Sequence, residues 1–185
     1  MVKDILRETE NKMKKAVEVV RQEFIKIRSG KATTTLLDGI KVDYYGSIMP
    51  LNQVGTVGTP DIRMITVTPW DKGMIGPIEK AILAANIGLN PANDGTVIRL
   101  PVPPLNEERR KELVKLIKKF AEDGKVALRN VRRDANEHLK KSEKEEHFSE
   151  DERKRGEEDV QKLIDKHIKE IDSLVTHKEK EIMEV

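Results

Sequence analysis

Residues 101–117, PVPPLNEERRKELVKLI, change character in the middle, and that change decides the fold. Pro101, Pro103 and Pro104 close a segment rich in Pro and Gly. Two residues later Asn106 is a good N-cap, and Glu107 and Glu108 suit the positive end of a helix dipole. From there Leu113, Ile117, Phe120, Ala127, Leu128, Val131 and Ala135 form one helical stripe. A Pro-rich string therefore runs straight into a long, charged, one-sided helix.

The contrast extends in both directions. All eight prolines lie between Pro50 and Pro104, and nine of the eleven glycines lie between Gly30 and Gly95. From Lys31 to Pro104 there are six basic and six acidic residues in 74 positions, while the other 111 positions hold 56 of the 68 charges. This pattern predicts an inserted domain, 30–104, within a domain built from 1–29 and 105–185.

The charged flanks read as three helices. In the first, Met13, Ala16, Val17, Val20, Phe24 and Ile27 step by three and four, and Gly30 can act as the stop. The second begins at Asn106. In the third, Ser149 and Glu152 form a capping box, and Val160, Leu163, Ile164, Ile168, Ile171, Leu174, Val175 and Ile182 carry the stripe. Gly124 and Gly156 fall inside the helices, where each costs roughly 1 kcal/mol relative to Ala. Each stripe is narrow, so the helices must share one seam, which gives an antiparallel three-helix bundle. At ~1.5 Å per residue the second and third helices run on the order of 50–60 Å and the first about 40 Å. The bundle is an elongated rod, with the connection from Lys141 to Glu152 at its far tip.

The insert reads as a small β/α/β unit, so the fold class is α+β. Ile40–Tyr45 alternates and is followed by the turn Gly46-Ser47. Ile62–Thr68 is a second strand, and Ile75–Ile87 a helix stopped by Gly88. Asn93-Asp94-Gly95 is a turn before the strand Val97–Leu100. Two strings join insert and rod: Ser29-Gly30-Lys31-Ala32, and a second ending in Pro103-Pro104-Leu105. Two crossings at one place permit a hinge, and rigid packing is the alternative.

Composition excludes several chemistries. There is no Cys, hence no disulfide, thiolate metal site or cysteine nucleophile. No apolar run approaches the ~20 residues of a membrane span. The charged start MVKDILRETENKMKK lacks a signal-peptide core, which predicts a cytoplasmic protein. The four histidines, His138, His147, His167 and His177, are at least nine residues apart, whereas helical metal pairs want three or four. No phosphate loop, nucleophile elbow or dinucleotide fingerprint occurs. Trp70 reads better as a core or domain-edge aromatic than as a stacking platform.

The net charge is only +2, so any nucleic-acid contact must come from local clustering. One cluster stands out. Lys125, Arg129, Arg132 and Arg133 fall within one arc of about 100° on the second helix, away from its apolar stripe. Three guanidiniums on one face suit bidentate phosphate contacts. An ordinary salt-bridged helix surface explains the same spacing.

Several strings resemble the ribosome recycling factor family. They are Lys26-Ile27-Arg28-Ser29-Gly30-Lys31-Ala32, Leu36-Leu37-Asp38-Gly39-Ile40 and Tyr44-Tyr45-Gly46 in the first part of the chain. Glu79-Lys80-Ala81-Ile82, Gly88-Leu89-Asn90-Pro91, Pro103-Pro104-Leu105 and Glu107-Glu108-Arg109-Arg110-Lys111 follow. Arg129-Asn130-Val131-Arg132-Arg133-Asp134-Ala135-Asn136 is the most specific, and Asp159-Val160-Gln161-Lys162-Leu163 adds to it. The resemblance spans the chain; it departs at Ser29, where Thr is commoner, and along Glu145–Ser149.

The resemblance implies an L-shaped molecule, with the rod as one arm and the insert as the other. It implies a non-enzymatic factor that binds the post-termination, bacterial-type ribosome. With elongation factor G and GTP, such a factor splits the ribosome into subunits and so releases mRNA and deacylated tRNA. It would dock on large-subunit rRNA through Arg129, Arg132 and Arg133, with Lys125 and Arg28 as further contacts. Ser29, Gly30, Lys31, Ala32, Pro103, Pro104 and Leu105 would form the hinge. A monomer with no cofactor, metal or membrane attachment is expected. Two other classes fit the residues: a ribosome-associated RNA-binding scaffold that does not need elongation factor G, and a helical adaptor for protein partners.

Overall fold

The computed structural model describes residues 1–145 and 147–184; Glu146, in the expected tip connection, and Val185 lie outside the described residues. In chain order the elements are α1 (Val2–Lys26), β1 (Lys41–Tyr44), β2 (Ser47–Pro50), β3 (Gly55–Asp61), β4 (Met64–Pro69), α2 (Ile75–Ala84), β5 (Ala92–Asn93), β6 (Ile98–Pro101), α3 (Glu107–Lys144) and α4 (Glu150–Met183). They form two compact units, Met1–Arg28 with Glu107–Glu184, and Ser29–Asn106.

The first unit is a three-helix bundle. Met13, Val17, Val20 and Phe24 of α1, Ile117, Leu128 and Leu139 of α3, and Val160, Ile164 and Ile171 of α4 are all buried. Cross-helix neighbours fix the directions. Val20 faces Gly124, Lys125 pairs with Asp172, Leu139 faces Gly156, and Glu10 pairs with Lys166. Helix α3 therefore runs antiparallel to both α1 and α4.

The two helical glycines have a packing reason that periodicity does not reveal. A Cβ on Gly124 would overlap Val20 Cγ2 and sit 3.2 Å from Ile171 Cδ1, so all three helices close on this point. A Cβ on Gly156 would lie 3.1 Å from Leu139 Cδ2 and 3.4 Å from Val2 Cγ1. The loss in helix propensity is offset by close approach of the helices.

Helix α1 stops at Lys26, short of the expected stop at Gly30. Ile27 is already extended, at φ −79° and ψ 117°, with its side chain buried. The capping box of α4 is present: Ser149 Oγ accepts from the Glu152 N–H, and Glu152 Oε2 accepts from the Ser149 N–H at 2.8 Å. Nearby, Arg153 bridges Glu143 of α3 (2.6 Å) and Glu157 of α4 (2.8 Å), which ties the two helices beside the tip. His167 is not a surface residue of a charged helix. It is 1% exposed, and its Nδ1–H donates to the Leu163 carbonyl at 2.7 Å.

The second unit has a two-stranded sheet, β1-β2, and a four-stranded antiparallel sheet ordered β3-β4-β6-β5. Val42, Ile65, Val67, Ile78, Ile82, Ile98 and Leu100 form its core with no exposure. Several boundaries differ from the sequence reading. The first hairpin turns at Tyr45-Gly46, one residue earlier than expected. Both residues have positive φ, 47° and 90°, and Asp43 Oδ1 accepts from the Gly46 N–H at 2.8 Å. Strand β3 is new; its Gly55, Gly58 and Pro60 hide the strand pattern, and its register shifts between Gly58 and Asp61. Ile62-Arg63 is the β3–β4 turn, not the start of a strand, and Asp61 Oδ1 accepts from the Ile62 N–H at 2.6 Å. Helix α2 ends at Ala84, with Asn86 at φ 50° before Gly88. Trp70 is 68% exposed, which corrects the core reading, and its Nε1–H donates to Thr56 Oγ1.

The turn before β6 is built on Asp94. Backbone N–H groups of Val97 and Thr96 and the Arg99 guanidinium donate to its carboxylate, holding its pKa down from 3.8 to about 2. A depressed carboxylate stabilises the fold above its ordinary value and loses that contribution as pH falls through the folded value. In urea unfolding, Asp94→Asn should be less stable than the parent at neutral pH. The gap should close as pH falls from 3.8 towards about 2.

Candidate nucleic-acid interface

Helix α3 carries the basic arc on continuous helical backbone, so its four side chains are presented by a rigid element. Each then meets a different neighbour. Lys125 Nζ sits 2.6 Å from Asp172 Oδ1 of α4, and its side chain is only 25% exposed. Arg129 Nη2 sits 2.5 Å from Glu122 Oε1, seven residues earlier on α3. Arg132 is half-buried, and its Nη1 donates to Gln161 Oε1 of α4 at 3.4 Å. Arg133 is exposed.

The salt-bridged reading of this face thus holds for Lys125 and Arg129. Among the described residues, neither Arg132 nor Arg133 is in an ion pair, so these two keep their full charge available. The Arg132 head reaches across the seam to α4, where it meets Gln161. Two arginines without an acid partner and two paired cations lie on one face and make it a basic surface. It suits phosphates spaced along a backbone better than one enclosed ligand.

Arg28 is not part of this cluster. It is the last residue of the bundle unit's first segment, eight residues beyond Val20. Val20 packs at the level of Gly124, itself eight residues from Arg132, so Arg28 lies roughly 20 Å along the bundle from Arg132.

The expected hinge residues fall in the second unit. Ser29 and Ala32 are buried, and Gly30 takes φ 78°. A Cβ on Gly30 would meet Leu105 Cγ at 3.0 Å, so the two strings touch here. The Ala32 N–H donates to the Ile62 carbonyl (2.7 Å) and the Val102 N–H to the Arg63 carbonyl (2.8 Å). Both strings are thereby pinned to the β3–β4 turn. Lys31 is half-buried; Pro103 and Pro104 are exposed.

Sequence reasoning did not single out Gln161, Glu122 or Asp172 as neighbours of the arc. Gln161 stood within a family-like string, but its pairing with Arg132 depends on the register of α3 against α4, which periodicity does not set. A groove of about 710 Å³ in the second unit runs from Thr34 to Trp70, with Asp38 and Lys41 as its only titratable lining groups. No helix among the described residues is long and apolar enough to cross a membrane.

Comparison with known proteins gives these positions a context. The family model "Ribosome recycling factor" matches residues 20–183. A ribosome-recycling factor of Symbiobacterium thermophilum is 55% identical over 185 residues, covering all of both chains. One from Fusobacterium nucleatum is 56% identical over 180 residues, covering 96% of this chain and 95% of the relative. Among solved structures, a solution structure of the ribosome recycling factor matches with TM-score 0.76 and 48% identity, covering 100% of this chain and 98% of that one. A second match has TM-score 0.63 and 46% identity, covering 98% of each chain. It is described as models for the T. thermophilus ribosome recycling factor and the E. coli elongation factor G bound to the E. coli post-termination complex. With a family model over most of its length and relatives more than half identical across all of it, the chain belongs to the ribosome recycling factor family.

Proposed function

We propose that the protein binds the bacterial post-termination ribosome and, with elongation factor G and GTP, splits it into subunits, freeing mRNA and deacylated tRNA. The observation that carries the docking step is the pair of cations, Arg132 and Arg133, which have no acidic partner among the described residues and lie on one face of α3. This face meets large-subunit rRNA, and Lys125 and Arg129 join when phosphates displace Asp172 and Glu122. Phosphate contacts position the rod; no base need be read. The protein is a cytoplasmic monomer with no catalytic centre or cofactor of its own, and GTP hydrolysis belongs to its partner. The partner acts on the second unit, and the rod, stiff because it is helical, carries that push to the subunit junction.

Salt tests the docking step. Two to four neutralised phosphates give log affinity against log salt a slope of about −1.5 to −3.5. Equilibrium binding to purified large subunits across a salt series reads this slope, and a flat line would remove the arc as the anchor. The competing acid gives a second test. Glu122→Gln releases Arg129 and should strengthen large-subunit binding by a few-fold, whereas weaker binding would mean that the pair holds Arg129 in its docking position.

The strings Ser29–Ala32 and Pro103–Leu105 serve as the joint. Supporting this is Gly30, whose positive φ a β-branched residue adopts only at a cost of about 1–2 kcal/mol. Gly30→Val should weaken subunit splitting while circular dichroism reports unchanged helicity. Full splitting by that variant would argue against a joint at this position.

A further inference from the structure

We infer that Gln161 and Asp165 of α4 are positioning residues for Arg132. They hold its guanidinium in the orientation that meets a phosphate, without spending its charge. The inference rests on the docking reading above. Gln161 and Asp165 are four residues apart, so they share a face of α4. Gln161 Nε2–H donates to Asp165 Oδ1 at 2.9 Å, and Gln161 Oε1 accepts from Arg132 Nη1 at 3.4 Å.

The direction of this chain is set by its two ends. A carboxylate only accepts and a guanidinium only donates. An amide between them is stable in one orientation: NH₂ towards Asp165, carbonyl towards Arg132. The reversed amide would set oxygen against oxygen and N–H against N–H. Asp165 therefore fixes the amide, and the amide fixes Arg132.

The contrast with its neighbours gives the arrangement its consequence. Arg129 and Lys125 are held by carboxylates, which compete with phosphate for the same cation. Arg132 is held by a neutral carbonyl. One of its five N–H donors is used, and four remain for an oxyanion. A long side chain already ordered in the free protein loses less freedom on binding.

The test is large-subunit affinity in a double-mutant cycle of Gln161→Met and Arg132→Ala, with melting temperatures as the folding control. Gln161→Met keeps the side chain's length and removes its hydrogen bonds. It should weaken binding roughly two- to tenfold in the parent and leave it unchanged in the Arg132→Ala background. A second comparison separates the acceptor from the charge. Asp165→Asn and Asp165→Ala remove the same negative charge, but only Asn retains an acceptor for Gln161 Nε2. The Asn variant should bind several-fold more tightly than the Ala variant. If Arg132→Ala alone leaves affinity unchanged, the docking reading fails and this inference falls with it. If Arg132→Ala weakens binding but Gln161→Met acts equally in both backgrounds, or the two Asp165 variants bind alike, the positioning role alone is overturned.

Discussion

Gly124→Leu should destabilise the bundle by about 3 kcal/mol, the upper range for overpacking a filled core. Gly124 is buried on α3 where α1 and α4 both arrive. Even a methyl group there overlaps Val20 Cγ2, and Val20 is β-branched, 2% exposed and unable to rotate away freely. Ala at this site regains up to ~1 kcal/mol of helix propensity, yet still meets Val20. Gly124→Ala should therefore gain less than an exposed helical site would. Combining it with Val20→Ala, which opens the space, should cost less than the two single effects added together. Urea unfolding of the four proteins measures this coupling. A Gly124→Leu variant as stable as the parent would mean the helices do not close on this residue.

The second large effect is on binding. Arg132→Ala should lose roughly 1.5–3 kcal/mol of large-subunit affinity, as for a charge-assisted contact. At ~1.4 kcal/mol per decade this is about a ten- to hundredfold loss. Melting temperature should barely move, because Ala keeps the helix and, among the described residues, the one hydrogen-bond partner of the Arg132 guanidinium is Gln161 at 3.4 Å. Arg129→Ala should cost less, because that guanidinium must first leave Glu122 at 2.5 Å. Titration of purified large subunits against labelled protein, with a thermal melt of each variant, separates lost docking from lost folding. A variant that unfolds would mark Arg132 as structural.

Much of the bundle was legible because its signals are local. Apolar residues at three- and four-residue steps, with the Ser149–Glu152 box, place α3 and α4 to within a few residues. What escaped was non-local. Gly124 and Gly156 look like helix faults until the partner side chains Val20 and Leu139 are placed against them. His167 sits among charged neighbours in sequence, yet its ring fills the core and its Nδ1–H is satisfied by its own helix. In the second unit, β3 was missed because Gly and Pro interrupt it and its partner strand supplies the order. The hairpin turn slipped by one because Tyr45 adopts a positive φ that a sequence argument reserves for glycine.

The basic arc shows the same division. Spacing alone places Lys125, Arg129, Arg132 and Arg133 on one side of α3. It does not tell which of them are already engaged. That depends on Asp172 and Gln161, which arrive from α4 through tertiary register, and on Glu122, two turns earlier on the same helix. The result is a graded surface, with two cations held by acids and two available.

The most direct measurement is light scattering of post-termination ribosomes mixed with the protein, elongation factor G and GTP. Subunit splitting should require all three components. At limiting protein concentration it should fall about ten- to hundredfold with Arg132→Ala, in step with the affinity loss. Splitting that proceeds without elongation factor G or GTP, or that Arg132→Ala leaves untouched, would contradict the account.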